Sequence, residues 1–162
     1  MSRLSLVVIA TVALSLTLAA AAEEAKYVKL VHVNTGRVLG VTDDSEDNEA
    51  RAVIVKDEVN KARQWQLVKD GEYLKIVNRK SGKVLDVNNA SKDEDGEIIQ
   101  WEEKTDDNDN QRWSWEGKGD DRRLKSKHSG LVLDVTAEGK VVQKKPDEKA
   151  AGQLWKVVEV KE

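Results

Sequence analysis

Apolar and polar residues alternate along the chain in short runs, and the runs recur in the same order three times. YVKLV at 27–31, EYLKIV at 72–77 and RRLKS at 122–126 each lead into a polar turn ending in glycine. A second run follows at once in GRVLGV (36–41), GKVLDV (82–87) and GLVLDV (130–135). Beyond a polar stretch come AVIVK (52–56), EIIQW (97–101) and KVVQK (140–144), and each series closes on tryptophan in ARQWQLV (62–68), NQRWSW (110–115) and GQLWKVV (152–158). Period-two alternation is the mark of a strand with one buried face. In KVLDV it puts Leu85 and Val87 on one face and Val84 and Asp86 on the other, so Asp86 is expected to point away from the core. Asn34-Thr35-Gly36, Lys80-Ser81-Gly82, Asp95-Gly96 and Glu138-Gly139 supply turn chemistry between runs. Residues 49–68 also fit a helix, with Val55, Val59 and Ala62 on one face, but the equivalent GEIIQW and GKVVQK are too short and β-branched for one. The pattern predicts four strands per unit and twelve in all.

Gly36, Gly82 and Gly130 lie 46 and 48 residues apart, and Trp65, Trp113 and Trp155 lie 48 and 42 apart. A unit of about 46 residues has too little mass to cover its own apolar face, so three such units must share one core. The units run over about 26–69, 70–117 and 118–160. Trp65, Trp113 and Trp155 are expected as core anchors, packed with Leu39, Leu85 and Leu133. Ahead of the first unit, Arg3 precedes an uncharged apolar run from Leu4 to Ala22 that ends in four alanines. Residues 1–22 read as a signal peptide cleaved near Ala21 or Ala22, with a retained membrane anchor as the alternative. Residues 23–162 then form one domain, secreted or periplasmic.

Composition narrows the function. The chain has no cysteine, so no disulfide staples it despite the export signal. Net charge is −3 with 35% charged residues, and acidic clusters at 42–49, 92–97 and 105–110 would repel phosphate backbones, which excludes nucleic acid as a partner. RRLKSK (122–127), the one basic stretch, reads as a solvated strand edge. His32 and His128 are the only histidines, fall in different units and have no nucleophile motif nearby, so no catalytic residues are assigned and the chain is not read as an enzyme. DEDGE and DDNDN lack the spacing of a closed calcium loop, and neither a metal nor a cofactor is expected.

Three units of this size, each with a Leu-Asp-Val-type strand and a closing tryptophan motif, resemble the ricin B-type lectin family over roughly 26–160. NQRW (110–113) matches the family's Asn-Gln-x-Trp; GQLW (152–155) keeps Gln153 and Trp155, and ARQW (62–65) keeps only Trp65. The resemblance implies an all-β fold, a β-trefoil of three pseudo-symmetric repeats. It also implies a glycan partner, bound by the aspartate of Leu-Asp-Val, an aromatic about fifteen residues later and the motif's asparagine.

In the second repeat Asp86, Trp101, Asn110 and Gln111 supply that full set. A carboxylate accepts from two neighbouring hydroxyls, an aromatic face packs on C–H surface, and an amide both donates and accepts. The third repeat keeps Asp134 and Gln153 but has Lys144 for the aromatic, giving a weaker second site. The first has Gly40 for the acid and Ala62 and Arg63 for the amides, so its role is structural. The reading is a secreted carbohydrate-binding protein; the alternative is a trefoil module or protease inhibitor that binds protein without sugar.

Overall fold

The computed structural model describes residues 26–161; the segment read as a signal peptide lies outside the described residues. Twelve strands follow in order: β1 Val28–His32, β2 Val38–Val41, β3 Ala52–Val55, β4 Trp65–Asp70, β5 Tyr73–Asn78, β6 Val84–Val87, β7 Ile98–Trp101, β8 Trp113–Glu116, β9 Arg123–Ser126, β10 Val132–Val135, β11 Val141–Lys144 and β12 Trp155–Glu159. Six of them close a ring. β4 pairs β5, β5 meets β8 at Leu74–Trp113, and β8 pairs β9. Backbone bonds between Arg122 and Trp155 carry the ring on to β12, which pairs β1 along its whole length, and β1 meets β4 at Val28–Trp65. The other six form hairpins β2–β3, β6–β7 and β10–β11, linked to one another by single bridges at Arg51–Ile99, Glu97–Val142 and Val53–Lys140. This is the β-trefoil that the family resemblance implies.

Each polar turn reverses the chain tightly between a ring strand and a hairpin strand. Gly36, Gly82 and Gly130 have φ of 66°, 71° and 72°, and each N–H returns to the carbonyl four residues back, on His32, Asn78 and Ser126. A side chain is strained in that left-handed conformation, which is why glycine holds the position in every copy. The stretch 49–68, where a helix also fitted, forms β3, a single 3-10 turn at Lys61–Arg63 and β4. The basic stretch expected at a sheet edge is instead internal. β9 lies between β8 and β10 with Leu124 and Ser126 buried, and only its alternate residues reach solvent.

Trp65, Trp113 and Trp155 are buried in one cluster with Leu39, Leu85 and Leu133. Trp65 Nε1 donates to Leu39 O at 2.9 Å and Trp113 Nε1 to Leu85 O at 3.1 Å, so the expected Trp–Leu partnership includes a hydrogen bond to the leucine's backbone. Trp155 Nε1 is buried without a partner, and its ring lies 5.2 Å from that of His32. Strand β6 departs from simple alternation because all four of its residues are buried, Asp86 included. The face turned away from the core is covered by a second layer of side chains, and that layer surrounds the candidate site.

Truncating Trp113 to alanine is expected to cost about 3–5 kcal/mol, read from urea unfolding, because a cavity opens where three repeats meet. Replacing Trp113 by phenylalanine should also strand the Leu85 carbonyl, whereas the same change at Trp155 breaks no hydrogen bond. The Trp113→Phe variant is therefore expected to be the less stable of the two by about 1 kcal/mol.

Candidate functional site

Asp86 sits in the middle of β6, opposite Ile99 of β7. The 3-10 turn Asp109–Gln111 brings two amides beneath its carboxylate. Asn110 Nδ2 donates to Asp86 Oδ1 and Gln111 Nε2 donates to Asp86 Oδ2, both at 2.8 Å. Neither amide has donors left over. Asn110 Nδ2 also reaches Val87 O at 3.0 Å and Gln111 Nε2 reaches Glu102 O at 2.9 Å. Their oxygens accept from Lys104, Asn110 Oδ1 from its Nζ at 3.2 Å and Gln111 Oε1 from its backbone N–H at 2.9 Å. Both residues are buried and act as a clamp that holds the carboxylate in one orientation.

Asp86 is 2% exposed. Burial pushes its carboxyl above the ordinary aspartate value, and the bond from Gln111, the nearby Lys104 ammonium and the bond from Asn110 offset part of that rise. Lys104 Nζ stands 3.7 Å from Oδ2. A carboxylate offers about four lone-pair directions, so two remain after the amides are counted, with the Lys104 ammonium beside Oδ2.

Above the carboxylate lies a pocket of about 150 Å³, lined by Asp86, Trp101, Ile99, Asn88, Asn89, Lys104 and Glu49. Trp101 ends β7 and is partly exposed, with Lys104 three residues on. Next to Trp101, Gln100 points the other way and is fully buried. Its Nε2 donates to Ser45 O and Asp47 O, both at 2.9 Å, while Ser81 Oγ donates to its Oε1 at 2.9 Å. That lock ties β7 to the first repeat's loop, and Glu49 enters the pocket from there, its N–H bonded to Gln100 O. Asn89 projects from a left-handed backbone with φ of 53°. Sequence reasoning missed Lys104, Glu49, Asn88 and Asn89. Asn88 and Asn89 directly follow Val87, a signal that was available, whereas Glu49 comes from another repeat and no spacing within its own repeat points to it.

The other two repeats depart from this arrangement for visible reasons. In the third, Asp134 Oδ1 accepts the N–H of Val135 at 2.7 Å, and Oδ2 accepts from Gln153 Nε2 at 3.1 Å. A Cβ at Gly152 would fall 2.5 Å from Asp134 Oδ1, so the carboxylate has moved into the space that Asn110 fills in the second repeat. Lys144, where Trp101 would be, pairs with Asp95 at 2.8 Å. In the first repeat, Arg63 stands where Gln111 does and runs over Gly40; a Cβ at Gly40 would lie 3.4 Å from Arg63 Cγ and 2.9 Å from Val55 Cγ2. The guanidinium reaches Asp44 through Nε and Nη2 at 3.2 and 3.1 Å and Glu58 through Nη1 at 2.8 Å. An arginine fills the first site. Among the described residues no group of three His, Cys, Asp or Glu side chains could hold a metal ion.

The fold and these motifs have known relatives. The family model of ricin-type beta-trefoil lectin domain-like proteins matches residues 15–101 and 109–162. Among solved structures, the designed 3-fold symmetric protein ThreeFoil is similar at a TM-score of 0.77 and 33% identity, covering 83% of this chain and 99% of its own. The exo-beta-1,3-galactanase 1,3Gal43A from Clostridium thermocellum is similar at 0.76 and 38% identity over 85% of this chain, which spans only 31% of the galactanase. The Polyporus squamosus lectin, solved bound to the epitope Neu5Aca2-6Galb1-4GlcNAc, shares the fold at 0.72 with 17% identity, covering 82% of this chain and 48% of the lectin. No curated protein matches the chain. With the family model matching nearly all of the described residues, the chain belongs to the ricin-type β-trefoil lectin domain-like family.

Proposed function

We propose that the protein is exported and binds a single terminal sugar of a glycan in the pocket of its second repeat. One observation carries this reading: the Asp86 carboxylate is clamped by two amides and faces an open pocket beside the Trp101 ring. Asp86 accepts from two sugar hydroxyls, Trp101 packs on the C–H face, and Asn88 and Asn89 meet the polar rim. Asn110 and Gln111 orient Asp86 and do not themselves touch the ligand. A preset carboxylate spares the sugar the cost of ordering it, so its hydrogen bonds count for more than those of a mobile side chain. The third repeat's Asp134 and Gln153 make a weaker site, because Lys144 offers no stacking face. Export rests on the apolar run from Leu4 to Ala22 behind Arg3. No catalytic step is assigned to the chain.

A shallow single site of this kind is expected to bind in the range of about 0.1–1 mM, some −4 to −5.5 kcal/mol, and to need a multivalent target for retention. β-1,3-Galactans are the first probes to try, given the 38% identity to the galactanase over 85% of the chain. On a broad glycan array the wild-type protein is expected to give a signal that Trp101→Ala loses. Silence from folded wild-type protein would end the lectin reading, and a signal that survives Trp101→Ala would move the site elsewhere.

Protonation of Asp86 removes an acceptor from the ligand. Because burial raises its pKa, sugar affinity is expected to fall on acidification before an ordinary aspartate would titrate. Stability should respond in the opposite sense. A folded-state pKa above the unfolded one means that ionised Asp86 costs stability at higher pH, and the cost fades as pH falls through the folded value. Calorimetric titrations of wild type should show the loss of affinity, and thermal melts should show wild type gaining stability relative to Asp86→Asn as pH falls through the folded value.

A further inference from the structure

The loops that follow β2 and β6 each press an acidic residue against the hairpin of the next repeat. Glu49 N–H donates to Gln100 O at 3.0 Å, and Gln100 N–H returns to Ala50 O at 2.9 Å. One repeat later, Asp95 N–H donates to Gln143 O at 2.8 Å, and Gln143 N–H returns to Gly96 O at 3.0 Å. Glu49 and Asp95 therefore hold equivalent places, the first beside β7 and the second beside β11. Both have left-handed backbones, with φ of 65° and 62°. A side chain of the preceding residue pins each loop: Asn48 Oδ1 accepts from Glu102 N–H and Glu94 Oε1 from Lys145 N–H, both at 3.1 Å.

The two acids differ in what they meet. After Gln143 comes Lys144, whose Nζ pairs with Asp95 Oδ1 at 2.8 Å. After Gln100 the equivalent residue is Trp101, which offers a ring and no charge. Glu49 is exposed and lines the Asp86 pocket, and its carboxylate has no hydrogen-bond or ion-pair partner among the described residues. Cations on neighbouring elements are committed elsewhere, Arg51 to Glu97, Lys80 to Glu46 and Lys83 to Glu102. Lys104 is the one cation among the pocket's lining residues; it stands 3.7 Å from Asp86 Oδ2 and donates to Asn110 Oδ1 at 3.2 Å. Its charge answers that of Asp86. The charge of Glu49 is left over.

Building on the sugar-binding reading of Asp86, we propose that Glu49 makes this pocket selective for a cationic ligand, a sugar with a free ammonium group. In the third repeat the chain supplies the ammonium itself, from Lys144; in the second, the ligand supplies it. An ammonium has three donors and no acceptor, so it pairs with the Glu49 carboxylate without competing for the hydroxyl bonds to Asp86. The face of the Trp101 ring favours the same charge, because an aromatic quadrupole attracts a nearby cation. N-acetylation removes that charge and with it the preference. A uronic acid would set a third carboxylate beside Asp86 and Glu49, and like charges repel. Glu49 is exposed, so the selectivity is that of a solvated ion pair, about two- to five-fold in affinity.

Methyl glycosides of galactose, galactosamine, N-acetylgalactosamine and galacturonic acid form a matched series for the test, and the four gluco counterparts form a second. Each is titrated into the labelled full-length protein at about pH 6.5, below the pKa of such an amine. The Trp101 indole and Asn89 amide signals in ¹H–¹⁵N spectra report binding. At about 10 mM ionic strength the amino sugar is expected to bind about two- to five-fold more tightly than its neutral and N-acetylated relatives, and the advantage should shrink at about 300 mM. Glu49→Gln should bring the amino sugar and its neutral parent to equal affinity. Glu49→Lys should reverse the order and favour the uronic acid, an exchange that a merely structural role for Glu49 would not produce. Two outcomes overturn the proposal and leave the Asp86 reading standing: the neutral sugar binds wild type as tightly as the amino sugar, or the preference survives Glu49→Gln. Silence from every sugar in both series would remove the Asp86 reading and the selectivity with it.

Discussion

No single repeat here can bury its own apolar face, and everything else in the structure follows from that constraint. Three closing tryptophans and three leucines meet in one cluster, so each repeat supplies the others with the cover that it lacks. With no disulfide anywhere in the chain, this shared core and the hydrogen bonds around it carry the stability. Positions in the core repeat closely because three copies must fit one another. Positions on the outer layer have no such duty, and there the repeats differ.

The outer layer shows three fates of one constellation. In the second repeat a buried carboxylate is clamped by two amides and left with free lone pairs beneath an open pocket. Loss of the asparagine side chain at Gly152 lets Asp134 collapse onto its own backbone in the third. In the first, Gly40 and Arg63 belong together, since the arginine stem occupies the volume that an aspartate would need. Arg63 is held there by a bidentate pair with Asp44.

The same logic governs the contacts between repeats. Gln100 and Gln143 hold equivalent places in β7 and β11, and each donates to two carbonyls of the preceding repeat's loop. The equivalent place in β3 is Ile54, and the loop that it faces, 136–140, is shorter than its counterparts 42–51 and 88–97. Ile54 meets that loop through its backbone and its side chain: its N–H donates to Gly139 O, and a Cβ at Gly139 would lie 3.4 Å from Ile54 Cγ1. Glutamine and long loop occur together twice, and isoleucine and short loop occur together once.

The sequence alone determined the strand count, the threefold repeat and the core tryptophans, because strand alternation and an internal period are local signals that survive without coordinates. It also singled out Asp86 and Trp101, since their spacing lies within one repeat. Asn110 and Gln111 were visible too, but only the folded chain shows that their amides are spent on Asp86, Val87 and Glu102. Lys104 and Glu49 at the pocket and Arg63 over Gly40 depended on tertiary structure. Each arises where a loop of one repeat meets a strand or turn elsewhere. Such contacts are fixed by loop length and by the volume of a facing side chain, and neither appears in the spacing of residues along a single repeat.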